Sequence, residues 1–165
     1  MSITKSKLSV GEFESILKNL LEKKTIRVVK HPADAILIFE IGKPIPQDGF
    51  ETSEISLFVE GEWVYTSDSA ILISSKNSEQ ESHSEYFYKI ENLAELLTQK
   101  HPTVTSVSLI GSDQVKITLS DGSFIIKKEE YEGETLFVSI TVTKDETVSN
   151  FDISGSEWQL DLWTK

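Results

Sequence analysis

The sequence contains no cysteine, which excludes disulfide bonds, thiolate metal sites and cysteine nucleophiles. A chain without cysteine fits a reducing compartment, although many exported bacterial proteins also lack cysteine, and we expect a cytoplasmic location. Long apolar runs are missing too. The longest covers residues 35–39, whereas a membrane-spanning helix needs about 20 residues. The N-terminus lacks the apolar core of a signal peptide. We therefore expect a soluble protein that acts outside the membrane.

Motifs that mark well-known active sites are also missing. The sequence has no glycine-rich phosphate loop, no G-x-S-x-G and no H-E-x-x-H. Ser15 and Lys18 form an S-x-x-K, but its partner motifs S-D-N and K-T-G do not occur. His83 and Glu85 match the H-x-E of zinc deaminases without the P-C-x-x-C that completes that metal site. The sequence thus predicts no catalytic residue, no metal site and no cofactor.

Basic residues are scarce: 16 Lys and Arg stand against 27 Asp and Glu, for a net charge of −11. The imbalance lies beyond residue 30, where nine lysines face 24 acidic residues. Binding to nucleic acid requires a basic surface, so we expect no direct nucleic-acid partner. The acidity favours either solubility alone or attraction to a basic protein partner.

What the sequence does contain is regular alternation of apolar and polar residues over residues 103–143. A period of two predicts strands that turn one face to a core. Four such segments follow one another with short loops between them, so we predict an antiparallel meander. A further alternating segment at residues 158–163 predicts a fifth strand.

The loops of this meander predict its register. A three-residue loop at 111–113 and a two-residue turn at Asp121-Gly122 with φ > 0 give the first pairings. A bulged three-residue loop at 132–134 with a left-handed Gly133 gives the last one. The predicted cross-strand pairs are Leu109 with Val115, Val107 with Ile117, Leu119 with Phe124, Ile117 with Ile126, and Ile126 with Ile140.

The first half of the chain predicts a helix at residues 10–23, because Ser9 and Glu12 form a capping box before an apolar stripe. A second helix is predicted at residues 90–100. Strands are predicted at residues 25–29, 35–41, 55–59, 62–65 and 70–74. The third and fourth of these should form a hairpin around Glu60-Gly61 that places Phe58 opposite Trp63. Loops are predicted at residues 42–49, 76–84 and 144–156.

These elements predict an α+β protein with a mostly antiparallel sheet and two amphipathic helices packed on it. We expect one domain over residues 1–165, with possible sub-halves at 1–75 and 86–165 that meet at the polar stretch 76–85. Leu97 and Ile117 should be buried where the second helix contacts the sheet.

Two groups of residues are candidates for binding. The first is the acidic cluster Glu129, Glu130, Glu132 and Glu134 at a loop tip, which could steer a basic partner. The second consists of Phe137 and Trp163, placed by the pattern on the outer face of the meander. Such aromatics either pack against the strands of the first half or form a contact patch for another protein.

Three classes of function remain open. The sequence favours a non-enzymatic binding or inhibitory protein, of the bacterial immunity or defence type, that directs an acidic surface at a basic partner. A small hydrolase is the second class, because the four glutamates, Glu157 and Asp161 could supply paired carboxylates. A structural or assembly domain without catalysis is the third.

Overall fold

The computed structural model describes residues 2–47, 50–77, 80–144, 147–154 and 157–164. For residues 2–5, 47, 50–51, 147–154 and 157–164 it describes the backbone alone. Within these ranges the chain forms two helices and three antiparallel sheets. The predicted α+β class with a mostly antiparallel sheet is confirmed.

The largest sheet combines strands from both halves of the chain. Its seven strands are β1 (Ser2–Leu8), β2 (Ile26–Lys30), β3 (Leu37–Gln47), β4 (Phe50–Val59), β12 (Val138–Lys144), β13 (Thr147–Ser154) and β14 (Glu157–Thr164). Their spatial order is β1-β14-β13-β12-β4-β3-β2. The two halves meet in this sheet at two places: the β4–β12 pair, in which Leu57 lies opposite Ile140, and the β1–β14 pair.

A second sheet has five strands: β5 (Glu62–Ser67), β6 (Leu72–Ser74), β7 (Val104–Ile110), β8 (Gln114–Leu119) and β9 (Gly122–Lys127). Their order is β6-β5-β9-β8-β7. Alternate residues of β8 and β9 are buried, which the period-two pattern predicts. Two further short strands, β10 (Glu129–Tyr131) and β11 (Glu134–Leu136), form a hairpin of their own.

Two helices, α1 (Val10–Leu21) and α2 (His83–Lys100), begin with capping boxes. In each, a serine hydroxyl accepts from the third-residue N–H and a glutamate accepts from the cap N–H. α1 packs against β7, whereas α2 packs against β2 and β6. The helices bury apolar side chains at helical spacing, namely Phe13, Leu17, Leu21, Ile90, Leu93, Ala94 and Leu97. The predicted first helix is confirmed to within two residues at its C-terminal end.

One continuous cluster of buried side chains lies between the two larger sheets and the helices. Phe39 of β3 meets Phe124 of β9 edge to face, with ring centroids 5.2 Å apart. Trp63 packs against Phe124 and donates its indole N–H to the Ala35 carbonyl at 2.7 Å, so its one polar atom is satisfied inside the core. Leu97 and Ile117 are both buried, as predicted, although α2 packs mainly against β2 and β6 and Ile117 lies on β8.

The first meander loop is confirmed, and the second is wrong by one residue. Leu109 pairs with Val115 and Val107 with Ile117. At the next turn, however, Leu119 pairs with Gly122 and Ile117 with Phe124, so the turn residues are 120 and 121. Gly122 is not in the left-handed region. Glycine is required at position 122 because the neighbouring strand lies too close for a side chain: a Cβ there would lie 2.6 Å from the Thr66 carbonyl oxygen.

The meander does not continue past β9, so the predicted pairing of Ile126 with Ile140 is wrong. Ile126 lies opposite Trp63 and Val115 in the five-stranded sheet, whereas Ile140 belongs to the seven-stranded one. The loop at Glu132-Gly133 has two residues rather than three, although Gly133 does adopt the predicted left-handed conformation, with φ +81°.

The predicted hairpin around Glu60-Gly61 is also wrong. β4 and β5 lie in different sheets, and Phe58 pairs with Ile38 and Ser139 instead of Trp63. Gly61 makes the change of sheet possible, because a Cβ there would lie 2.4 Å from the Lys127 carbonyl oxygen. The two N–H groups at Glu60 and Gly61 both donate to the Phe137 carbonyl at 2.9 Å.

Three predicted loops contain regular structure. β3 extends through residues 42–47, past a bulge at Gly42, where φ is +81°. Pro44 and Pro46 fit because β2 pairs with β3 only as far as Ile41, and an edge position does not require their missing N–H groups. Residues 147–154 form β13. α2 begins at His83, seven residues before the predicted start.

Candidate functional site

The acidic cluster predicted from the sequence lies on the β10–β11 hairpin. Tyr131 pairs with Glu134, so Glu132 and Gly133 are the two turn residues. Their φ angles are +49° and +81°. Positive φ at both central positions is the requirement of a type I′ turn, whose twist matches that of the flanking strands. The chain thus uses a tight turn to carry several carboxylates.

All four glutamates of the cluster, Glu129, Glu130, Glu132 and Glu134, are exposed. A Cβ placed on Gly133 would meet no atom within 4 Å, so the space beside this turn residue is open. The Thr135 hydroxyl lies 3.0 and 3.1 Å from the two carboxylate oxygens of Glu130, directly across the hairpin. This contact orients one carboxylate.

The base of the hairpin is fixed to the body of the protein. On one side the Lys128 N–H donates to the Asp113 carbonyl at 2.8 Å. On the other side the Phe137 side chain is buried in the core. A short hairpin is only marginally stable alone. We infer that these anchors position the acidic turn on the body of the protein.

An exposed aromatic residue at this turn was missed by the sequence reasoning. Tyr131 lies between Glu130 and Glu132 and is 59% exposed. Tyrosine in such a position offers a rigid apolar ring and a hydroxyl, which is why it is enriched at protein interfaces. The signal was present in the sequence as the only aromatic residue within the acidic turn.

The two predicted aromatic anchors stand differently. Phe137 is 2% exposed, so its prediction as a surface contact is wrong and packing against the rest of the fold explains it. The physical reason is that β11 and β12 leave the meander at this point and Phe137 follows them into the core. Trp163 belongs to β14, where its backbone pairs with Ile3 and Val148, and its side chain lies outside the described part. Ile125 of β9 is 38% exposed.

The structure gives other titratable groups structural partners. A hydrogen bond from the Leu109 N–H, with a smaller contribution from Lys18, holds the pKa of Glu14 below its usual value despite some desolvation. Burial, with the nearby Asp121 and Asp68 charges, raises the pKa of Tyr65.

Among the described residues, no group of three or more His, Asp or Glu side chains is arranged to hold a metal ion.

The H-x-E at His83 and Glu85 is a helix start. The Ser82 hydroxyl accepts from the Glu85 N–H at 3.2 Å, and the Glu85 carboxylate accepts from the Ser82 N–H at 3.3 Å. Glu157 and Asp161, candidates for paired carboxylates, lie on β14, and their side chains are outside the described part.

No protein-family model matches the chain, and no similar protein was found among curated proteins or among solved structures. In the portion of the chain that the structure describes, no helix is long and apolar enough to cross a membrane.

Proposed function

We propose that this protein is a non-enzymatic binding or inhibitory protein that docks its acidic hairpin, β10–β11, on a basic protein partner. The single observation that supports this is the combination at one turn of four exposed glutamates with the 59%-exposed Tyr131. Carboxylates supply long-range attraction, and an aromatic ring supplies short-range contact area. An immunity or defence role in the cytoplasm is the setting that we propose for it.

The two components should act on different rate constants. Exposed charges act before contact, so they raise the association rate and make it depend on salt. A ring that becomes buried acts after contact, so it lowers the dissociation rate. The hairpin supports this division, because Tyr131 lies between Glu130 and Glu132 in the chain and opposite Glu134 across the strands.

A matched pair of variants tests the proposal. The first replaces Glu129, Glu132 and Glu134 by Gln and leaves Glu130 to hold Thr135. The second removes the same charge elsewhere, as Asp34→Asn, Asp68→Asn and Glu95→Gln, at exposed positions on other parts of the fold. Quantitative mass spectrometry after affinity capture from the native host should find a basic protein that the first variant loses and the second retains.

Association rates with that partner then decide the mechanism. We expect the hairpin variant to associate at least about tenfold more slowly at low salt, the lower end of electrostatic steering effects, and the control to stay near the wild-type rate. At high salt, the association rates of the wild type and the two variants should become similar. A wild-type association rate that is flat across salt concentrations would refute electrostatic docking, as would equal losses in both variants.

A further inference from the structure

Two sheet edges are covered by side chains from α1, from its C-cap residue Glu22 and from α2. Strand β7 forms one edge of the five-stranded sheet, and its Val107 and Leu109 N–H groups donate to the carboxylates of Glu22 and Glu14 at 3.1 and 2.8 Å. Strand β2 forms one edge of the seven-stranded sheet, and its Val29 N–H donates to the Thr98 hydroxyl at 2.9 Å. An unpaired edge is a template for another strand, and these contacts occupy it.

Strand β6, the other edge of the five-stranded sheet, is different. Its bonds to β5 flank the strand, as Ser67 N–H to Ile71 carbonyl and Ser75 N–H to Trp63 carbonyl, both 2.9 Å. In an antiparallel pair these bonds involve alternate residues. The backbone groups of Leu72 and Ser74 therefore point away from β5. Within the described residues, no hydrogen bond to the backbone N–H or C=O of either one is present.

A groove runs between this edge and the first turns of α2. Its volume is about 160 Å³, and it is lined by Leu72, Ser74, Lys76, Tyr86 and Lys89 among others. The Tyr86 hydroxyl donates to the Ser75 carbonyl and so ties α2 to the end of the strand. Leu72 is 67% exposed, the highest value among the exposed large apolar side chains of the described residues.

The charges around the groove are already paired. Lys76 lies 3.2 Å from the Glu62 carboxylate, and Lys89 contacts the Glu81 carboxylate. An occupant would therefore be selected through hydrogen bonds to the backbone and apolar contact with Leu72, with little contribution from charge.

We propose that the β6 edge binds an extended peptide segment of another protein, which adds a sixth strand to the five-stranded sheet. The free donors and acceptors of Leu72 and Ser74 specify a β-strand backbone. The groove beside α2 accommodates its side chains, and an apolar residue of the peptide packs on Leu72. This surface is separate from the acidic hairpin and differs from it in chemistry.

The test uses a blocked peptide of alternating threonine and valine, about six residues long, the length of an average strand. Its control is the same peptide methylated on every backbone nitrogen, which cannot donate hydrogen bonds. Amide hydrogen exchange is followed by NMR at millimolar peptide. We expect the unmethylated peptide alone to slow exchange at Leu72 and Ser74, and binding to be the same at low and high salt.

Protein variants separate backbone from side chain. Leu72→Pro removes one outward N–H and leaves the bonds to β5 intact, which edge strands tolerate. It should weaken peptide binding about tenfold, the loss expected for one hydrogen bond. Leu72→Thr keeps that N–H and should bind more tightly than Leu72→Pro. If Leu72→Pro does not fold, the methylated peptide still decides.

Three results would overturn the proposal: no protection by the unmethylated peptide, equal protection by the methylated one, or binding that disappears at high salt. Protection of Leu72 and Ser74 that grows with protein concentration in the absence of peptide would assign the edge to a second copy of this chain and would also reject the peptide.

Discussion

Replacing Gly122 by alanine tests why a glycine stands at the start of β9. A Cβ there would lie 2.6 Å from the Thr66 carbonyl oxygen, 2.8 Å from the Tyr65 hydroxyl and 2.9 Å from a Tyr65 ring carbon. The Thr66 carbonyl belongs to the backbone of the neighbouring strand β5 and cannot rotate away as a side chain could. Tyr65 is 2% exposed and has little room to move. The added methyl must therefore push two strands apart.

The expected cost follows from two opposing effects. Overpacking a well-filled site costs about 1–3 kcal/mol. Alanine recovers roughly 0.5–1 kcal/mol, because it loses less backbone entropy than glycine on folding. The middle of each range leaves a net loss of about 1 kcal/mol, with limits of roughly 0 and 2.5 kcal/mol. For a domain of this size, a loss of about 1 kcal/mol corresponds to a fall in Tm of roughly 2–4 °C. Urea and thermal unfolding followed by circular dichroism measure both quantities.

Asparagine distinguishes close approach from turn geometry. If Gly122 were required for a positive φ, Gly122→Asn would be nearly neutral, since asparagine tolerates the left-handed region. Close approach makes asparagine at least as destabilising as alanine. Gly133 supplies the control, because its φ is +81° and the space around it is open. There Asn should be more stable than Ala. A Gly122→Asn protein as stable as wild type would refute the packing argument.

Other substitutions test the core, the sealed edge and the hairpin. Leu97→Ala, at a fully buried position, should cost about 2–5 kcal/mol in unfolding free energy, whereas Leu96→Ala, at a position 36% exposed, should cost roughly 0.5 kcal/mol or less. Because the folded pKa of Glu14 is lowered, the stability that it contributes is present above its ordinary value of 4.5 and is lost as the pH falls through the folded value. The stability difference between wild type and Glu14→Gln should therefore be largest above pH 4.5 and shrink as the pH falls below it in denaturant titrations, and a constant difference would contradict this. Tyr131→Ala should leave the unfolding free energy within about 0.5 kcal/mol of wild type and raise the dissociation rate from the partner, and an unchanged dissociation rate would exclude the ring as a contact.

Local sequence signals predicted local structure well. The capping box at Ser9 and Glu12 correctly marked the start of α1, and the loop at 111–113 gave the correct register of β7 and β8. The second capping box, at Ser82 and Glu85, carries the same signal, and Tyr86 and Phe87 continue the helical spacing of the apolar residues that follow. The sequence therefore held enough information to start α2 at His83, although full burial begins only at Ile90.

At the candidate site, too, local sequence signals were sufficient for some residues and not for others. The acidic turn could be located from sequence because a glycine among glutamates indicates both a turn and exposure. The position of Phe137 could not, because alternation predicts two faces of a strand without saying which is covered. Only the β4–β12 pairing decides this. It brings the start of β12 beside β4, while the Phe137 carbonyl accepts from Glu60 and Gly61 at the corner between the sheets.

The partner of each strand is the property that turn chemistry could not supply. Three dipeptides have the sequence of a hairpin turn, namely Asp121-Gly122, Glu60-Gly61 and Glu132-Gly133. The strand that follows Gly61, however, belongs to the other sheet. A two-residue turn and a corner both require a residue without a side chain, one for φ and the other for close approach. At Gly61 the neighbouring atoms are the carbonyls of Lys127 and Leu136, from segments more than 60 residues away. Such a glycine is visible in the sequence, but the contact that requires it comes from segments far away along the chain. Contacts of this long-range kind determine which strands pair.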